Sequence, residues 1–314
     1  MIETHDLRRS FASRKGTVEA VAGVDLDVKR GEIFGFLGPN GAGKTTTLRM
    51  LSTLLPLTSG DATVAGFDLR RDPAKVRYQI GYVSQEGSSA PEIPGRSELA
   101  IQGRLYGMTK TRAAERAAEL IAALELADCA DRPTRTYSGG QKRRLDIGIG
   151  LMHLPQLLFL DEPTTGLDPQ SRARMWDEVR GLRDTGTTVF LTTHYLEEAD
   201  ALCDRIAIID HGKIVALGTP DELKRQVAGD VVVVGTDNAG ARSLELLSAQ
   251  AFVRDATLVD GVVRLYVDRG ETAMPQILRT LDSAGIALES LSLNRPSLDD
   301  VFLRQTGRSL RDAA

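Results

Sequence analysis

Residues 38–46 read GPNGAGKTT and match the phosphate-loop pattern G-x-x-x-x-G-K-[ST]. Glycines at this spacing let the backbone curl so that its N–H groups point inward. Lys44 is placed to reach the outer phosphates, and the Thr45 hydroxyl is placed to reach Mg²⁺. The segment predicts a site for ATP or a similar nucleotide, in preference to a plain glycine-rich turn. The residues expected to contact the nucleotide are Gly38, Pro39, Asn40, Gly41, Ala42, Gly43, Lys44, Thr45 and Thr46.

The second group with a chemical pattern is LLFLDEP, residues 157–163. Four apolar residues indicate a buried strand that ends at Asp161. A carboxylate at such a strand end holds Mg²⁺ beside a phosphate loop. Glu162 follows directly and is placed to polarise an attacking water while Asp161 stays with the metal. Two acids that merely cap a strand are the alternative, which the nearby phosphate loop makes less attractive.

A further anion site is suggested by YSGGQKRRLD, residues 137–146. Ser138, Gly139, Gly140 and Gln141 stand at the start of a predicted helix, whose dipole favours negative charge there. Taken alone, the segment is better explained as an ordinary helix N-cap in which Ser138 is the capping residue. Arg143 and Arg144 are interpreted as a solvated helix face rather than as a nucleic-acid patch.

The order of these motifs along the chain resembles that of the ATPase domain of ATP-binding-cassette (ABC) proteins. Gln85 lies in GYVSQE, YSGGQ and LLFLDEPTTGLD follow, and His194 lies in LTTHYLEEAD. The resemblance covers roughly residues 1–220. It implies that two copies associate head to tail, with each ATP held between the phosphate loop of one copy and the SGGQ segment of the other. Ser138, Gly139, Gly140 and Gln141 would then serve the partner's nucleotide.

The same resemblance implies roles for individual residues. Gln85 would bind Mg²⁺ or the water and sense the γ-phosphate, so the metal set is Thr45, Gln85 and Asp161. Glu162 would be the catalytic base, and His194 would contact the γ-phosphate and orient the water. Asp168, in TTGLD, would order the dimer interface.

Phe11 matches the family's adenine-stacking aromatic, which is more often Tyr. Stacking survives that change because it uses the face of the ring. A core phenylalanine remains the alternative at this position.

The elements that position these residues alternate between strands and helices, which predicts an α/β fold with a buried parallel sheet. The resemblance implies a P-loop ABC ATPase domain with a RecA-like core, an antiparallel β subdomain and a helical subdomain. After Gly229 the pattern becomes βαββαβ, which predicts a small α+β ferredoxin-like domain with a terminal helix. We therefore expect an ATPase domain over residues 1–228 and an accessory domain over residues 229–314.

Composition limits the classes of function. The chain has 314 residues, a formal net charge of −4 and two widely spaced cysteines. Nothing in this charge balance points to nucleic acid, and we expect no nucleic-acid partner. The first residues do not resemble a signal peptide, and no stretch reaches the roughly 18 apolar residues of a membrane-spanning helix. If the protein acts at a membrane, we expect it to dock there.

The C-terminal segment NRPSLDDVFLRQTGR, residues 294–308, is similar to the tail of the daunorubicin-resistance type of drug-export ATPase. That resemblance implies a peripheral subunit on the cytoplasmic face of the cell membrane, working with an integral membrane permease of the export type. Residues 86–99 would receive a helix of the permease, and the cargo would be drug-like or lipid-like. Two alternatives stay open here: a soluble ABC ATPase acting on nucleic acid or ribosomes, and a non-catalytic module regulated by ATP.

Overall fold

The structure is a computed structural model. It describes residues 1–13, 16–226, 229–236, 239–294 and 296–310. The chain divides into two compact units, Met1–Leu217 and Gly218–Ala314.

The strands and helices of the described residues are numbered in chain order. The strands are β1 Ile2–Ser13, β2 Gly16–Val28, β3 Ile33–Leu37, β4 Ser59–Val64, β5 Phe67–Asp68, β6 Ile80–Val83, β7 Leu157–Asp161, β8 Thr188–Thr193, β9 Arg205–Asp210, β10 Lys213–Gly218, β11 Asp230–Thr236, β12 Val253–Val259, β13 Val262–Val267 and β14 Leu288–Asn294. The helices are α1 Lys44–Leu51, α2 Pro73–Gln79, α3 Gly95–Leu105, α4 Lys110–Ala123, α5 Gly139–Leu151, α6 Pro169–Asp184, α7 Leu196–Leu202, α8 Pro220–Gln226, α9 Gly240–Ser248, α10 Gly270–Ser283 and α11 Leu298–Thr306.

The core of the first unit is a six-stranded sheet in the order β10-β9-β3-β8-β7-β6. β3 pairs in parallel with β8 and β9, and β7 pairs in parallel with β8 and β6. Every residue of β3, β7 and β8 is buried, as the continuous apolar runs predict for strands covered on both faces. Because parallel strands end at one edge, the segments after β3, β6, β7 and β8 meet there. Those segments contain the predicted phosphate loop, Gln85, Glu162 and His194.

A second sheet, in the order β2-β1-β4-β5, is antiparallel. Its strands come from the first part of the unit. Strand β1 was not predicted from the sequence, because MIETHDLRRS has few apolar residues and no continuous run. Its stability depends on pairing with β2 on one side and β4 on the other. The register with β2 shifts three times along the ladder, which bends the strand as bulges do.

Helices α3, α4 and α5 of the first unit pack against one another. Helix α5 also contacts β6 of the six-stranded sheet. Gly81 of β6 makes this approach possible, because a Cβ there would lie 2.3 Å from the Gly150 carbonyl oxygen of α5. The helix begins at Gly139. Ser138 caps it, and the Gln141 side chain closes a capping box.

The second unit contains an antiparallel sheet in the order β12-β13-β11-β14. Helix α9 follows β11 and helix α10 follows β13, so the predicted βαββαβ ferredoxin-like arrangement is confirmed. Alternate residues of β11, Val232 and Val234, pack with Leu247 of α9 and Ile277 of α10 in one apolar core.

The division between the units falls earlier than the predicted boundary at residues 228 and 229. The structure divides the chain after Leu217, which assigns α8 to the second unit. The physical reason is that α8 packs against α11, and Arg304 donates a 2.7 Å hydrogen bond to the Gln226 carbonyl oxygen. A local change of pattern could not reveal a partner 78 residues later in the chain.

Candidate functional site

The phosphate loop lies between β3 and α1, where the motif placed it. Gly41 and Gly43 have φ values of 79° and 106°, which glycine adopts without steric cost. A Cβ at Gly43 would lie 2.5 Å from the Ala20 carbonyl oxygen, so a larger residue would also clash with β2. The Lys44 ammonium donates hydrogen bonds to the Gly38 and Pro39 carbonyl oxygens, at 2.8 and 3.1 Å. The loop is therefore already curled around its lysine.

Three oxygen-bearing side chains meet beside this loop. The Thr45 hydroxyl donates to Asp161 Oδ1 at 3.1 Å, and the Thr192 hydroxyl donates to the same oxygen at 2.6 Å. Asp161 is only 1% exposed, and its carboxylate is held from two elements. Hydroxyl and carboxylate oxygens are the donors that Mg²⁺ prefers, so Thr45 and Asp161 fit that ion.

Glu162 is the centre of the cluster. Its Oε1 lies 3.3 Å from the Lys44 ammonium. Its Oε2 accepts hydrogen bonds from Gln85 Nε2 and from the Thr165 hydroxyl, both at 3.2 Å. His194 Nδ1 also lies 3.2 Å from Oε2. Burial by itself would raise the pKa of Glu162, but the adjacent His194 ring and the Lys44 charge outweigh it and lower the pKa to about 2.

The backbone at Glu162 is in an uncommon conformation. Its φ is 45°, in the left-handed region that residues other than glycine seldom adopt. Its N–H is directed at Thr192, 3.0 Å from the hydroxyl and 3.2 Å from the carbonyl oxygen. The end of β8 therefore helps to fix the direction in which the Glu162 carboxylate points. Strained residues of this kind are concentrated at functional sites.

The SGGQ segment forms a separate part of the candidate site. Ser138 and Gln141 bond to each other at 3.0 and 3.2 Å in the capping box, so the N-cap interpretation is observed in the structure. A Cβ at Gly140 would lie 3.2 Å from the Ser171 hydroxyl. Asp168 caps α6 and accepts from that same hydroxyl at 2.6 Å. The structure thus places Asp168 and the SGGQ segment on neighbouring helix starts.

Phe11 lies on β1 opposite Val18 and is 37% exposed. It is therefore not a core residue, which removes the alternative considered from the sequence. The Arg9 guanidinium lies 4.6 Å from the centre of its ring. An exposed ring is what adenine stacking requires.

The prediction that Arg143 lies on a solvated helix face is wrong. The residue is 7% exposed, and its guanidinium donates hydrogen bonds to the carbonyl oxygens of Ser84, Asp161 and Pro163 at 2.5, 2.9 and 2.9 Å. Arg144, its neighbour, is also largely covered and pairs with Glu125 and Glu178 at 3.5 and 3.7 Å. The local sequence gave no signal for this, because the three carbonyl groups come from other segments of the chain.

No helix of the described residues combines the length and the apolar character that crossing a membrane requires.

Two family matches divide the chain in a similar way to the structure. Residues 21–165 match the ABC transporter family, and residues 218–306 match the C-terminal domain of DrrA1-3-like ATP-binding proteins.

Several curated relatives are similar over nearly the whole chain. The daunorubicin resistance ATP-binding protein DrrA3 of Streptomyces coeruleorubidus is 46% identical, over 96% of this chain and 96% of its own. The linearmycin resistance ATP-binding protein LnrL of Bacillus subtilis is 38% identical, over 99% of this chain and 100% of its own. The Nod factor export ATP-binding protein I of Ralstonia nicotianae is 37% identical, over 95% of this chain and 92% of its own.

Solved structures of similar fold cover the first unit. An ATP-binding subunit of an ABC transporter superposes with a TM-score of 0.64 at 26% identity, over 72% of this chain and 92% of that one. The ATP-binding cassette MJ0796, solved as a dimer in a post-hydrolysis state with ADP and Pi, gives a TM-score of 0.65 at 24% identity, over 70% of this chain and 98% of that one. The second of these supports the fold alone.

Proposed function

This chain belongs to the ABC transporter family as an ATP-binding, ATP-hydrolysing exporter subunit, and from that premise we propose which residues perform each step. The observation that supports the assignment most is the cluster at the sheet edge. In this cluster, Lys44, Gln85 and His194 each approach the Glu162 carboxylate to 3.3 Å or less. The alternatives of a soluble ATPase acting on nucleic acid and of a non-catalytic module find no support among the relatives, which are resistance and export proteins by name.

The phosphate loop binds the nucleotide. The backbone N–H groups of residues 40–46 and the start of α1 offer donors and a favourable dipole to the phosphate oxygens. Lys44 contacts the outer phosphates. The exposed ring of Phe11 stacks on adenine. Thr45 and Asp161, with Gln85, hold Mg²⁺, which when bound neutralises charge on the phosphates.

Hydrolysis uses the groups that follow β7 and β8. Water attacks the γ-phosphorus and the bond to the ADP oxygen breaks. The Glu162 carboxylate, which becomes a stronger base when the Lys44 ammonium binds a phosphate instead, accepts the proton that the water loses. His194 contacts the γ-phosphate and orients the water. Gln85 bonds to Glu162 at 3.2 Å and is therefore placed to respond when a γ-phosphate arrives.

The SGGQ segment completes the site of a second copy. Ser138 and Gly139–Gln141 lie at the start of α5, and the hydrogen bonds described above tie them to each other and not to the cluster around Glu162. In a head-to-tail dimer they contact the partner's γ-phosphate, and Asp168 on the neighbouring helix start orders that interface. ATP would then hold the two copies together until it is hydrolysed.

The partner in the membrane is an export-type permease, which places the protein on the cytoplasmic face of the membrane. Tyr78, Ile101 and Leu105 are 63%, 48% and 75% exposed, and Tyr78 lies edge-on to Tyr106 beside α3. Ile101 and Leu105 follow the segment 86–99 that was expected to receive a permease helix, and Tyr78 precedes it in the chain. The cargo is a drug-like or lipid-like compound, as the names of the resistance relatives suggest. We propose no nucleic-acid partner, because the net charge is −4.

The test is Glu162→Gln, compared with Glu197→Gln at an exposed position of α7. Loss of the general base is expected to lower ATP hydrolysis by about 10³-fold, while ATP binding persists and ATP-bound dimers accumulate. Glu197→Gln should behave like the parent. Hydrolysis at the parental rate by Glu162→Gln would remove Glu162 from the mechanism.

The same variant tests the membrane partner when it is tagged and added with ATP to detergent-solubilised native membranes. Recovery of one polytopic membrane protein in a near-equal ratio is the expected result. A bait with Ile101→Asp and Leu105→Asp should recover less of it, whereas Leu54→Asp, at a residue 57% exposed, should not matter. Recovery of soluble partners alone would contradict the permease assignment.

A further inference from the structure

Arg143 is a buried cation whose hydrogen bonds all go to backbone. Burial of a guanidinium is costly unless its N–H groups are satisfied. Here Nε, Nη1 and Nη2 each donate to a different carbonyl oxygen, those of Pro163, Ser84 and Asp161. Such a planar fork fixes the relative positions of the three segments in a way that a lysine could not reproduce.

Two of these carbonyl groups flank Glu162. Asp161 precedes it and Pro163 follows it, and both are held by one guanidinium at 2.9 Å. Glu162 itself stands between them with φ at 45°. A conformation of this kind persists only when its surroundings impose it. Arg143 and Thr192 are the side chains that do so, from opposite elements, α5 and β8.

The third carbonyl group belongs to Ser84, which immediately precedes Gln85. The other end of that loop is held by the same helix. Asp146, three residues after Arg143 in α5, accepts hydrogen bonds from the backbone N–H groups of Ser88 and Ser89 at 2.9 and 3.0 Å. Side chains of helix α5 therefore hydrogen-bond to the backbone of the Gln85 loop both before and after the glutamine.

We propose that Arg143 is a positioning residue for hydrolysis: it ties α5 to the backbone around Glu162 and to the start of the Gln85 loop. This proposal rests on the proposed function. Because α5 begins with the SGGQ segment, the helix that serves the partner's ATP also holds the catalytic carboxylate of its own chain.

The first test separates chemistry from binding in Arg143→Met. Because a displacement of about 1 Å can cost about 100-fold in rate, kcat for ATP should fall by about that factor. The dissociation constant for ATP should stay at the parental value, because the phosphate loop is untouched. Arg144→Met, one residue along the same helix, is the matched control and should keep the parental kcat. A parallel loss of binding and rate in Arg143→Met would overturn the proposal.

Arg143→Lys addresses the risk that the methionine variant does not fold. It retains the positive charge, but one ammonium cannot span three carbonyl groups in a plane. Its thermal unfolding should approach that of the parent, and its kcat should still be reduced by about 10-fold or more. A folded Arg143→Lys protein that turns over ATP at the parental rate would contradict the proposal.

Mixed dimers, purified through two different tags, show which site Arg143 serves. In each, one chain carries Glu162→Gln, so only the partner's Glu162 can act. With Arg143→Met in the Glu162→Gln chain, the rate should equal that of the dimer carrying Glu162→Gln alone. With Arg143→Met in the other chain, the rate should fall by about 100-fold.

Equal loss in both arrangements would overturn the proposal, because it would assign Arg143 to the SGGQ segment or to general stability. No loss in either arrangement would overturn it as well. Failure of the proposed function has a different signature. In that case the reference dimer with Glu162→Gln in one chain would hydrolyse ATP at the full parental rate.

Discussion

At the scale of residues, the site depends on how one carboxylate is kept charged. Glu162 is 7% exposed, and burial alone would favour its protonated form. The adjacent His194 ring and the Lys44 ammonium reverse that preference. Both partners come from other motifs, at the ends of β8 and of the phosphate loop. The acid–base state of Glu162 is therefore set jointly by three motifs.

Replacement of His194 by alanine should move the acid limb of the pH profile. The His194 ring, 3.2 Å from Glu162, lowers the pKa of that carboxyl group, so its removal should raise the pKa from about 2. The carboxylate then becomes protonated, and inactive as a base, at a higher pH than in the parent. The measurement is kcat/KM for ATP against pH, because that ratio reports the free enzyme. His211→Ala, at a side chain 81% exposed, should leave the limb in place, and an unmoved limb in His194→Ala would contradict this account.

Most of this cluster could be predicted from local sequence, because each residue follows an apolar strand of a parallel sheet. The same local reasoning failed for Arg143. When only the helix is considered, two adjacent arginines predict a solvent-exposed helix face. What buries Arg143 is a set of carbonyl groups at positions 84, 161 and 163, whose convergence is a property of the tertiary structure.

At the scale of elements, the function depends on how closely α5 approaches β6. Gly81 and Gly150 bring two backbones into contact where the strand leads toward Gln85. Gly150 is itself enclosed, since a Cβ there would lie 3.1 Å from Leu158 and 3.2 Å from Val83. On the same helix, Arg143 and Asp146 bond to the two ends of the Gln85 loop.

Gly81→Ala should destabilise the protein, by contrast with Gly181→Ala. The new methyl group at position 81 would meet the Gly150 carbonyl oxygen at 2.3 Å, and such overpacking costs about 1–3 kcal/mol. At position 181, inside α6, a Cβ meets nothing within 4 Å. There alanine should stabilise the helix by about 0.5–1 kcal/mol. Urea unfolding measures the free energy of unfolding of both variants. If both substitutions changed that free energy in the same direction, the packing argument would be refuted.

The elements themselves were largely predictable where their apolar periodicity is strong. The phosphate-loop strand and helix and the βαββαβ order are of this kind. Strand β1 is not, since its pairing partners β2 and β4 supply what its own polar sequence lacks. Propensity describes a segment alone, whereas strand stability depends on cross-strand neighbours.

At the scale of the whole molecule, each unit has its own apolar core. That of the second unit is built from β11, β13, α9 and α10. The predicted ATP-binding residues all belong to the first unit. Stability of the second unit and affinity for ATP should therefore be separable in measurement.

Ile277→Ala tests this separation against Leu278→Ala. Ile277 is fully buried in α10, and its truncation should cost about 2–5 kcal/mol. Leu278, the next residue, is 44% exposed, and its truncation should cost far less. Calorimetry should show a lower unfolding temperature for the second unit in Ile277→Ala, with the ATP dissociation constant unchanged. A loss of ATP affinity that matches the loss of stability would show that the units do not behave independently.

The 3.3 Å contact between Lys44 and Glu162 couples two groups to which we assign different roles. Under the proposed function, Lys44 contacts the outer phosphates and Glu162 activates water. Because the Lys44 charge lowers the pKa of Glu162, we expect Glu162 to become a stronger base when Lys44 binds a phosphate instead. The nucleotide would then control the strength of the base that acts on it.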